Sequence, residues 1–377
     1  WANLYWSSSI DPVASFSVYC TPPPGLVLGC TDSTAANYNP TANYDDASCY
    51  FIVAKTYVPD NTFESYLEVN GWGDGIPNND SVATANINTV TYINVNNLSI
   101  SDLTGIQDFI SLTELRVSDN SLSGVLDVSA LVNLQVLYCS KNYGLTSLDL
   151  SGNTALETIV CQYNNGITSM DLTSCTLLTD ANFFDCSLTS INVTGLTLLE
   201  DLRVSGYPGG GSNQLTTLDV STNIALDFLG CDYNQLTSID VSNCPNLYQF
   251  WVPGNQLSSI DVSANMSLKY FVCSDNNLTA VTVDSPVLRW LYAANNSLTS
   301  ASVLSNVLTE IKIQNNQLTS FDVSNCTSLV EFDCSNNQID TLDLSSIGSS
   351  LIEFNCSNNN LVSLDLRFNI PSGSYTA

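Results

Sequence analysis

The sequence predicts a β-rich solenoid, because one short unit repeats along most of its 377 residues. The repeats share leucine at the first position, a leucine-like residue at the fourth, a small apolar residue at the sixth and asparagine at the ninth. Most starts are 20 to 22 residues apart, which is typical of stacked coils, and an irregular start at Val90 precedes the regular ones. The regular starts are Leu112, Leu134, Leu156, Leu178, Leu199, Leu226, Leu247, Leu268, Leu288, Leu308, Leu329 and Leu351.

Each repeat is expected to begin with a short strand. Side chains alternate along a strand, so the fourth and sixth positions point into the core and the third and fifth point outwards. Stacking the coils then gives an arc with one parallel sheet on its concave face and short strands or turns on its convex side. The solenoid is expected to span residues 90–366, with about 12 to 13 repeats.

The repeated asparagine predicts a ladder, since its amide can bond main-chain groups of the neighbouring coil at the turn after each strand. Cys186 takes this place in the fourth repeat, and the insertion "GYPGGGSN" precedes Asn213 in the fifth and should project as a loop. The other ladder positions are Asn120, Asn142, Asn164, Asn234, Asn255, Asn276, Asn296, Asn316, Asn337 and Asn359.

The sixth-position cysteines are predicted to be small buried hydrophobes, because valine, alanine or isoleucine replaces them in other repeats. A buried thiol in apolar surroundings is inert. The alternative, a metal–thiolate row, is disfavoured because stacked coils align one thiol per coil without a tetrahedral set. The cysteines are Cys139, Cys161, Cys231, Cys273, Cys334 and Cys356.

An aspartate recurs between two core residues of a second short strand, as in Leu148-Asp149-Leu150. Alternation turns this carboxylate away from the core. Capping of local turns by neighbouring Ser and Thr is the favoured interpretation, and calcium along the stripe is the alternative. The stripe comprises Asp127, Asp149, Asp171, Asp219, Asp240, Asp261, Asp322, Asp343 and Asp365.

The ends of the array should differ. Residues 51–89 are predicted to form an N-terminal cap, with a capping box from Asn61 and Glu64 and a helix whose Phe63, Tyr66 and Leu67 plug the first coil. Residues 367–377 form a C-terminal tail with no evident cap, which predicts that the native chain continues or that a partner covers this end.

Residues 29–50 form a small module bounded by two cysteines, and a Cys30–Cys49 disulfide is expected in an oxidising compartment. Asp32, Asp45 and Asp46 supply oxygen ligands of the kind calcium takes, the alternative being a loop built from Asx turns. Residues 1–28 are interpreted as the tail of an upstream domain and a Pro-rich linker, in which Cys20 pairs with a cysteine further upstream.

Charge and composition exclude several functions. Eight Lys and Arg against 36 Asp and Glu give a net charge of −28, which repels nucleic acids and anionic lipid headgroups, and we expect no direct membrane insertion. The chain has no histidine, so the Ser/His and Cys/His pairs of nucleophilic catalysis are absent. A non-enzymatic protein is predicted, with no cofactor unless calcium is bound.

The outward positions of the predicted concave strands carry aromatic residues on four consecutive coils: Phe228, Trp251, Tyr270, Trp290 and Tyr292. Acidic residues occupy the same positions on the last three coils. Aromatic clusters of this kind anchor protein partners or stack on sugars, and the alternative is that they are covered by a neighbouring subunit or domain. These five residues are the predicted ligand-binding site.

The motifs "YVPDNTFESYL", "ISDLTGIQDF" and the recurring "LxxLxCxxNxLTSLDVS" resemble the secreted and cell-surface leucine-rich-repeat proteins of Bacteroidota-type bacteria, which have internalin-like repeats. The resemblance covers about residues 57–366 and implies a leucine-rich-repeat horseshoe on the cell surface or outside the cell. It implies adhesion and binding without catalysis. The expected partner is a protein or glycan on a cell or matrix surface, and the alternative is a structural subunit that packs against its own copies in a filament, fibre or virion surface.

Overall fold

The computed structural model describes residues 25–209, 212–347, 350–362, 364 and 374–376. The described chain falls into two compact units that meet between Ala54 and Lys55. The predicted upstream tail with Cys20 lies outside the described residues.

The first unit contains the predicted cysteine-bounded module. Cys30 and Cys49 form the expected disulfide, and strands Leu28–Gly29 and Tyr44–Asp45 pair in parallel beside it. Few of its side chains are buried, so the disulfide and side-chain bonds to the main chain replace a core.

The second unit begins with a cap. Strand Lys55–Tyr57 pairs antiparallel with Ser81–Ala83, and the helices Asn61–Val69 and Thr84–Ile87 and a 3-10 turn, Ile106–Asp108, complete it. Phe63 and Leu67 are fully buried, and Tyr66 packs partly buried against the same core, as the helical spacing predicted.

The start of the first helix corrects the predicted capping box. The N-cap is Asp60, whose Oδ1 accepts hydrogen bonds of 3.0 Å from the amides of Thr62 and Phe63, so Asn61 is the first helical residue. Glu64 does not return to the cap, because its buried carboxylate accepts from the amides of Asn79 and Asp80 instead. The helix is therefore tied to a loop at its side, and its N-terminal donors are satisfied by one aspartate.

The coils build a 14-stranded main sheet in which all neighbouring strands are parallel. Three-residue strands stack in unbroken register, as in Tyr270 opposite Trp290 and Val272 opposite Tyr292. The last strand lies in the predicted C-terminal tail and pairs in parallel with the strand before it, at the end of the sheet. The strands are Tyr92–Asn94, Glu114–Arg116, Val136–Tyr138, Thr158–Val160, Asp180–Asn182, Asp201–Arg203, Phe228–Gly230, Gln249–Trp251, Tyr270–Val272, Trp290–Tyr292, Glu310–Lys312, Glu331–Asp333, Glu353–Asn355 and Ser374–Thr376.

Burial follows the predicted alternation. The middle residue of each main strand from Ile93 to Phe354 lies in the core, and the sixth-position residue two places later is buried with it. The third and fifth positions are mostly partly exposed, with Asn182 and Gly230 buried, and they form what we call the outer face of the main sheet. This face is the surface on which the predicted ligand-binding residues were placed.

Short strands also form on the opposite side of the coils. They pair as three separate two-stranded parallel sheets, and the intervening coils turn without strands. The strands are Ser123–Asp127, Gly144–Asp149, Ser169–Asp171, Ser190–Asn192, Ala280–Val283 and Ser300–Val303. The prediction of short strands or turns on that side is confirmed.

The asparagine ladder is confirmed in its bonding. Asn255 Nδ2 donates to the carbonyls of Cys231 in the preceding coil, at 3.0 Å, and of Val252 in its own coil, at 3.2 Å, while its Oδ1 accepts from the amide of Leu236 at 3.0 Å. Cys186 replaces asparagine with an Sγ–H that donates to Cys161 O at 3.0 Å. Each ladder residue thus joins two coils through main-chain groups, and carbonyls such as that of Cys231 accept from two successive ladder asparagines.

A second ladder, which the sequence analysis missed, lies three residues before the first position of some coils. Asn153, Asn223 and Asn265 are fully buried, and the amide of Asn265 donates to the carbonyls of Val241 at 3.0 Å and Cys244 at 2.8 Å. Buried serine or cysteine fills this place in other coils, so the exchange among Asn, Ser and Cys obscured it in the sequence.

Candidate functional site

The sixth-position thiols are buried in the core and take no part in a site. Burial raises the pKa of the Cys161, Cys231 and Cys273 thiols, so the nucleophilic thiolate is suppressed. The prediction that these cysteines are core residues is confirmed. The described chain has ten free cysteines, all of them buried.

The aspartate stripe serves turns. Asp149 Oδ1 accepts from the amide of Ser151 at 3.0 Å, and Asp240 Oδ1 accepts from that of Ser242 at 2.9 Å. The amide and side chain of Ser151 lower the pKa of Asp149, and the side chain and amide of Ser242 lower that of Asp240. The favoured interpretation of the stripe, capping of local turns, agrees with this geometry.

The three module aspartates lie in separate Asx turns. Asp32 Oδ1 accepts from Thr34, Asp45 Oδ1 from the amide of Ala47, and Asp46 Oδ1 from the amide of Ser48. Within the described ranges, no three acidic or thiol side chains are grouped so that they could hold a metal ion. The Asx-turn alternative agrees with these hydrogen bonds, and calcium binding by the three aspartates stays a prediction, since calcium also takes amide and main-chain oxygens.

The five predicted aromatic residues meet on the outer face of the main sheet, and we call them the aromatic patch. Strand register places Phe228, Gln249, Tyr270 and Trp290 in one row, and Trp251 and Tyr292 belong to the neighbouring row two residues along the strands. All five rings are partly buried. The patch therefore spans four consecutive strands of the main sheet.

The rings of the patch pack against one another. Phe228 and Trp251 meet edge to face with ring centroids 5.2 Å apart, and Tyr270 and Trp290 do so at 4.5 Å. Trp290 and Tyr292 are stacked, with an interplanar angle of 3° and centroids 5.8 Å apart. Such contacts fix the side-chain conformations before any partner arrives.

Basic side chains lie over several of these rings, which the sequence analysis missed. The Arg203 guanidinium lies 4.6 Å from the centroid of Phe228, and Lys312 Nζ lies 4.9 Å from that of Tyr292. Both cations also pair with carboxylates, Arg203 with Asp201 at 2.6 Å and Lys312 with Glu331 at 2.9 Å. In the sequence, basic and aromatic residues occupy outward positions of neighbouring strands, and this pattern could have predicted the cation–π contacts.

Tyr248 extends the patch at the start of its strands. Its ring meets Tyr270 edge to face at 5.5 Å, and its hydroxyl accepts a hydrogen bond of 2.6 Å from Lys269 Nζ. Tyr248 and Lys269 occupy the second repeat position, which the sequence analysis did not assign to the outer face. Their side chains reach the patch because each residue directly precedes a main strand, next to the row of third-position residues.

Two buried polar atoms near the patch have no hydrogen-bond partner among the described residues: the indole Nε1 of Trp251 and Oδ1 of Asp232. Burial raises the pKa of Asp232 to about 7, against a smaller opposing effect of its hydrogen bond with Ser205. Asp232 follows Gly230 by two residues, in the coil that carries Phe228.

Comparison with solved structures identifies the fold. The chain resembles an internalin from Listeria monocytogenes at a TM-score of 0.55 and 18% identity, over 85% of this chain and 95% of that one. It has the leucine-rich-repeat fold. A leucine-rich-repeat protein of Leptospira interrogans matches 75% of the chain over 88% of its own length, at 18% identity and a TM-score of 0.54. The leucine-rich-repeat domain of APL1B matches at 20% identity and 0.51, over 68% of this chain and 86% of that one.

Similarity at the level of sequence is weaker. No protein-family model matches this leucine-rich-repeat chain, and no curated protein matches it closely. Among the described residues, no helix has the length and apolar character needed to cross a membrane. The comparisons therefore establish the fold, and the site must be interpreted from its own residues.

Proposed function

We propose that this protein is a non-enzymatic binding module that anchors a protein partner on the aromatic patch. The observation that carries the proposal is that the five rings lie on four consecutive strands and pack in two groups, Phe228 with Trp251 and Trp290 with both Tyr270 and Tyr292. Trp and Tyr dominate the binding energy of many interfaces, and side chains already fixed lose little entropy when a partner binds. The internalin-type fold supports a binding role as well.

A protein partner is favoured over a glycan by the arrangement of the rings. Sugars stack on free ring faces, whereas here Trp290 and Tyr292 stack on each other and Arg203 lies over Phe228. The surface combines ring edges, a tyrosine hydroxyl and charged groups, which suits the mixed side chains of a protein.

We further propose that the protein acts outside the cell or on its outer surface. The Cys30–Cys49 disulfide supports this, because such bonds persist in oxidising compartments. The resemblance of the repeats to Bacteroidota-type surface proteins points to the same setting. The buried free thiols are compatible with it, since burial protects them from oxidation.

A selection from a random dodecapeptide phage library tests the proposal, with binding of the retained clones compared on three immobilised proteins. These are the wild type, Trp290→Ala, and Tyr143→Ala, which removes an exposed tyrosine outside the patch. We expect Trp290→Ala to weaken binding by about thirtyfold, the loss of a hot-spot residue, and Tyr143→Ala to leave it unchanged. Equal binding to all three proteins would contradict the proposed function.

A further inference from the structure

Five of the seven basic residues in the described part of the chain are paired with carboxylates. The chain has only eight Lys and Arg for 36 Asp and Glu, so a cation readily finds an acidic neighbour. The ion pairs are Lys55 with Asp74, Arg116 with Glu114, Lys141 with Asp119, Arg203 with Asp201 and Lys312 with Glu331. Among the described residues, Lys269 and Arg289 alone have no carboxylate within 4.0 Å.

These two cations are neighbours. They occupy the second position of consecutive coils, and the amide of Arg289 donates to the carbonyl of Lys269 at 2.8 Å. Their like charges repel, and in such an acidic chain an intervening carboxylate would have relieved that repulsion. In earlier coils, the same second position of the repeat is acidic, as at Glu200 and Asp227. The sign of the charge at these positions therefore changes within the patch, from Asp227 before Phe228 to Lys269 before Tyr270.

The two cations differ in their contacts and exposure. Lys269 is fixed, because its Nζ donates to Tyr248 and lies 4.9 and 5.4 Å from the ring centroids of Tyr248 and Tyr270. Arg289 is exposed and precedes Trp290 in the chain. One partly buried cation, one accessible guanidinium and adjacent rings thus form a mixed surface, which we call the basic edge: Tyr248, Lys269 and Arg289.

We propose that the basic edge binds the carboxylates of an acidic segment of the partner, whose apolar side chains occupy the adjacent aromatic patch. The inference rests on the proposed function and names the chemistry of the partner. A guanidinium offers a planar fork that matches a carboxylate bidentately, and an ammonium adds a second point charge beside it. The occupant is thus a peptide segment in which Asp or Glu lies beside an aromatic or aliphatic residue.

Charge favours a short acidic segment over a nucleic acid. Nucleic-acid binding needs many cations along the backbone path, whereas the basic edge supplies two and the whole chain carries a net charge of −28. A second copy of the chain is the competing occupant, because Glu310, Glu331 and Glu353 lie on the outer face of the same sheet. Two of these are already engaged, Glu310 by Tyr292 and Glu331 by Lys312, which leaves fewer carboxylates for a partner copy.

The experiment uses the same random dodecapeptide library on the full chain. The double variant Lys269→Gln/Arg289→Gln is compared with wild type and with Arg116→Gln/Lys141→Gln, a matched control that removes two cations from other coils. We expect clones selected on wild type to be enriched in Asp and Glu beside aromatic residues. Their binding should fall about tenfold to a hundredfold on the first double variant and remain within about twofold on the control.

The outcomes separate this inference from the proposed function. Clones that depend on Trp290 but carry no acidic enrichment, or that bind the Lys269→Gln/Arg289→Gln protein as well as wild type, overturn the basic edge and leave the aromatic patch intact. Clones indifferent to Trp290→Ala overturn the proposed function itself. Sedimentation of each protein gives the remaining outcome: a wild-type dimer that dissociates in the Lys269→Gln/Arg289→Gln variant would assign the basic edge to a second copy and contradict the peptide proposal.

Discussion

Single residues in this protein divide into those that repeat and those that vary. The repeating asparagine satisfies main-chain groups, and the repeating cysteine fills the core, so neither is available to a ligand. The residue before most of the ladder asparagines also has a fixed task, because it adopts a left-handed conformation, with φ of 56° at Asp275 and 50° at Tyr233. Asp and Asn tolerate that region best, which explains their frequency there.

The ladder predicts a large cost for removing one buried amide. Asn255→Ala leaves the amide of Leu236 without its partner and removes one of the two side-chain amides that donate to the carbonyl of Cys231, and we expect the protein to lose about 2 to 4 kcal/mol of unfolding free energy. Urea unfolding followed by circular dichroism measures this loss. Asn246→Ala is the control, since Asn246 is exposed and makes one long bond, of 3.5 Å to Ile224 O. Equal shifts of the two midpoints would contradict the ladder.

Asp232 predicts an unusual pH dependence. Its pKa is raised to about 7 in the folded protein by burial, so the folded state binds a proton that the unfolded chain releases near pH 4. Stability should therefore fall as pH rises from about 4 to 7 and level off above that range. We expect Asp232→Asn to be more stable than wild type by about 2 kcal/mol at pH 8 and nearly equal to it at pH 4.5. Thermal unfolding at the two pH values measures the difference, and parallel pH profiles would rule it out.

At the scale of elements, the N-terminal helix shows what local sequence could and could not predict. The apolar spacing predicts the helix and its buried side, but the spacing of Asn61 and Glu64 predicts Asn61 as the cap. The structure uses Asp60, because its second oxygen also accepts from the amide of Ser101 at 2.8 Å. That contact joins residues far apart in the chain, so sequence spacing could not reveal it.

Replacing the two cap candidates distinguishes the observed cap from the predicted one. Asp60→Ala loses the bonds to Thr62, Phe63 and Ser101, and we expect a cost of about 1 to 3 kcal/mol in unfolding free energy. Asn61→Ala should cost little. Burial alone would raise the pKa of Asp60, but its hydrogen bonds hold it below its ordinary value, so its contribution should be lost in acid. Urea midpoints at pH 7 check this order, and a larger effect of Asn61→Ala would restore the original capping box.

At the scale of the whole molecule, the sequence predicted the fold well because the same few positions repeat in every coil. Period-two alternation assigned Leu115 and Val117 to the core and Glu114 and Arg116 to the outer face, and the main strands follow that assignment. The outer strands were harder to predict, since only some coils form them. The aromatic patch was predictable because its residues occupy the third and fifth repeat positions, which point outwards. The basic edge was not predictable, because Tyr248 and Lys269 occupy the second position and contact each other and the patch between neighbouring coils.

The central claim is that the variable outward residues, and not the repeating ones, contact the partner. Gln249 lies in register between Phe228 and Tyr270 at the centre of the aromatic patch. Ser259 belongs to the same coil but is exposed and lies outside the main strand Gln249–Trp251. Photo-crosslinking with p-benzoylphenylalanine in place of either residue, using the tightest selected peptide, tests the claim most directly. We predict a crosslink from position 249 and none from 259, and the reverse result would contradict the account.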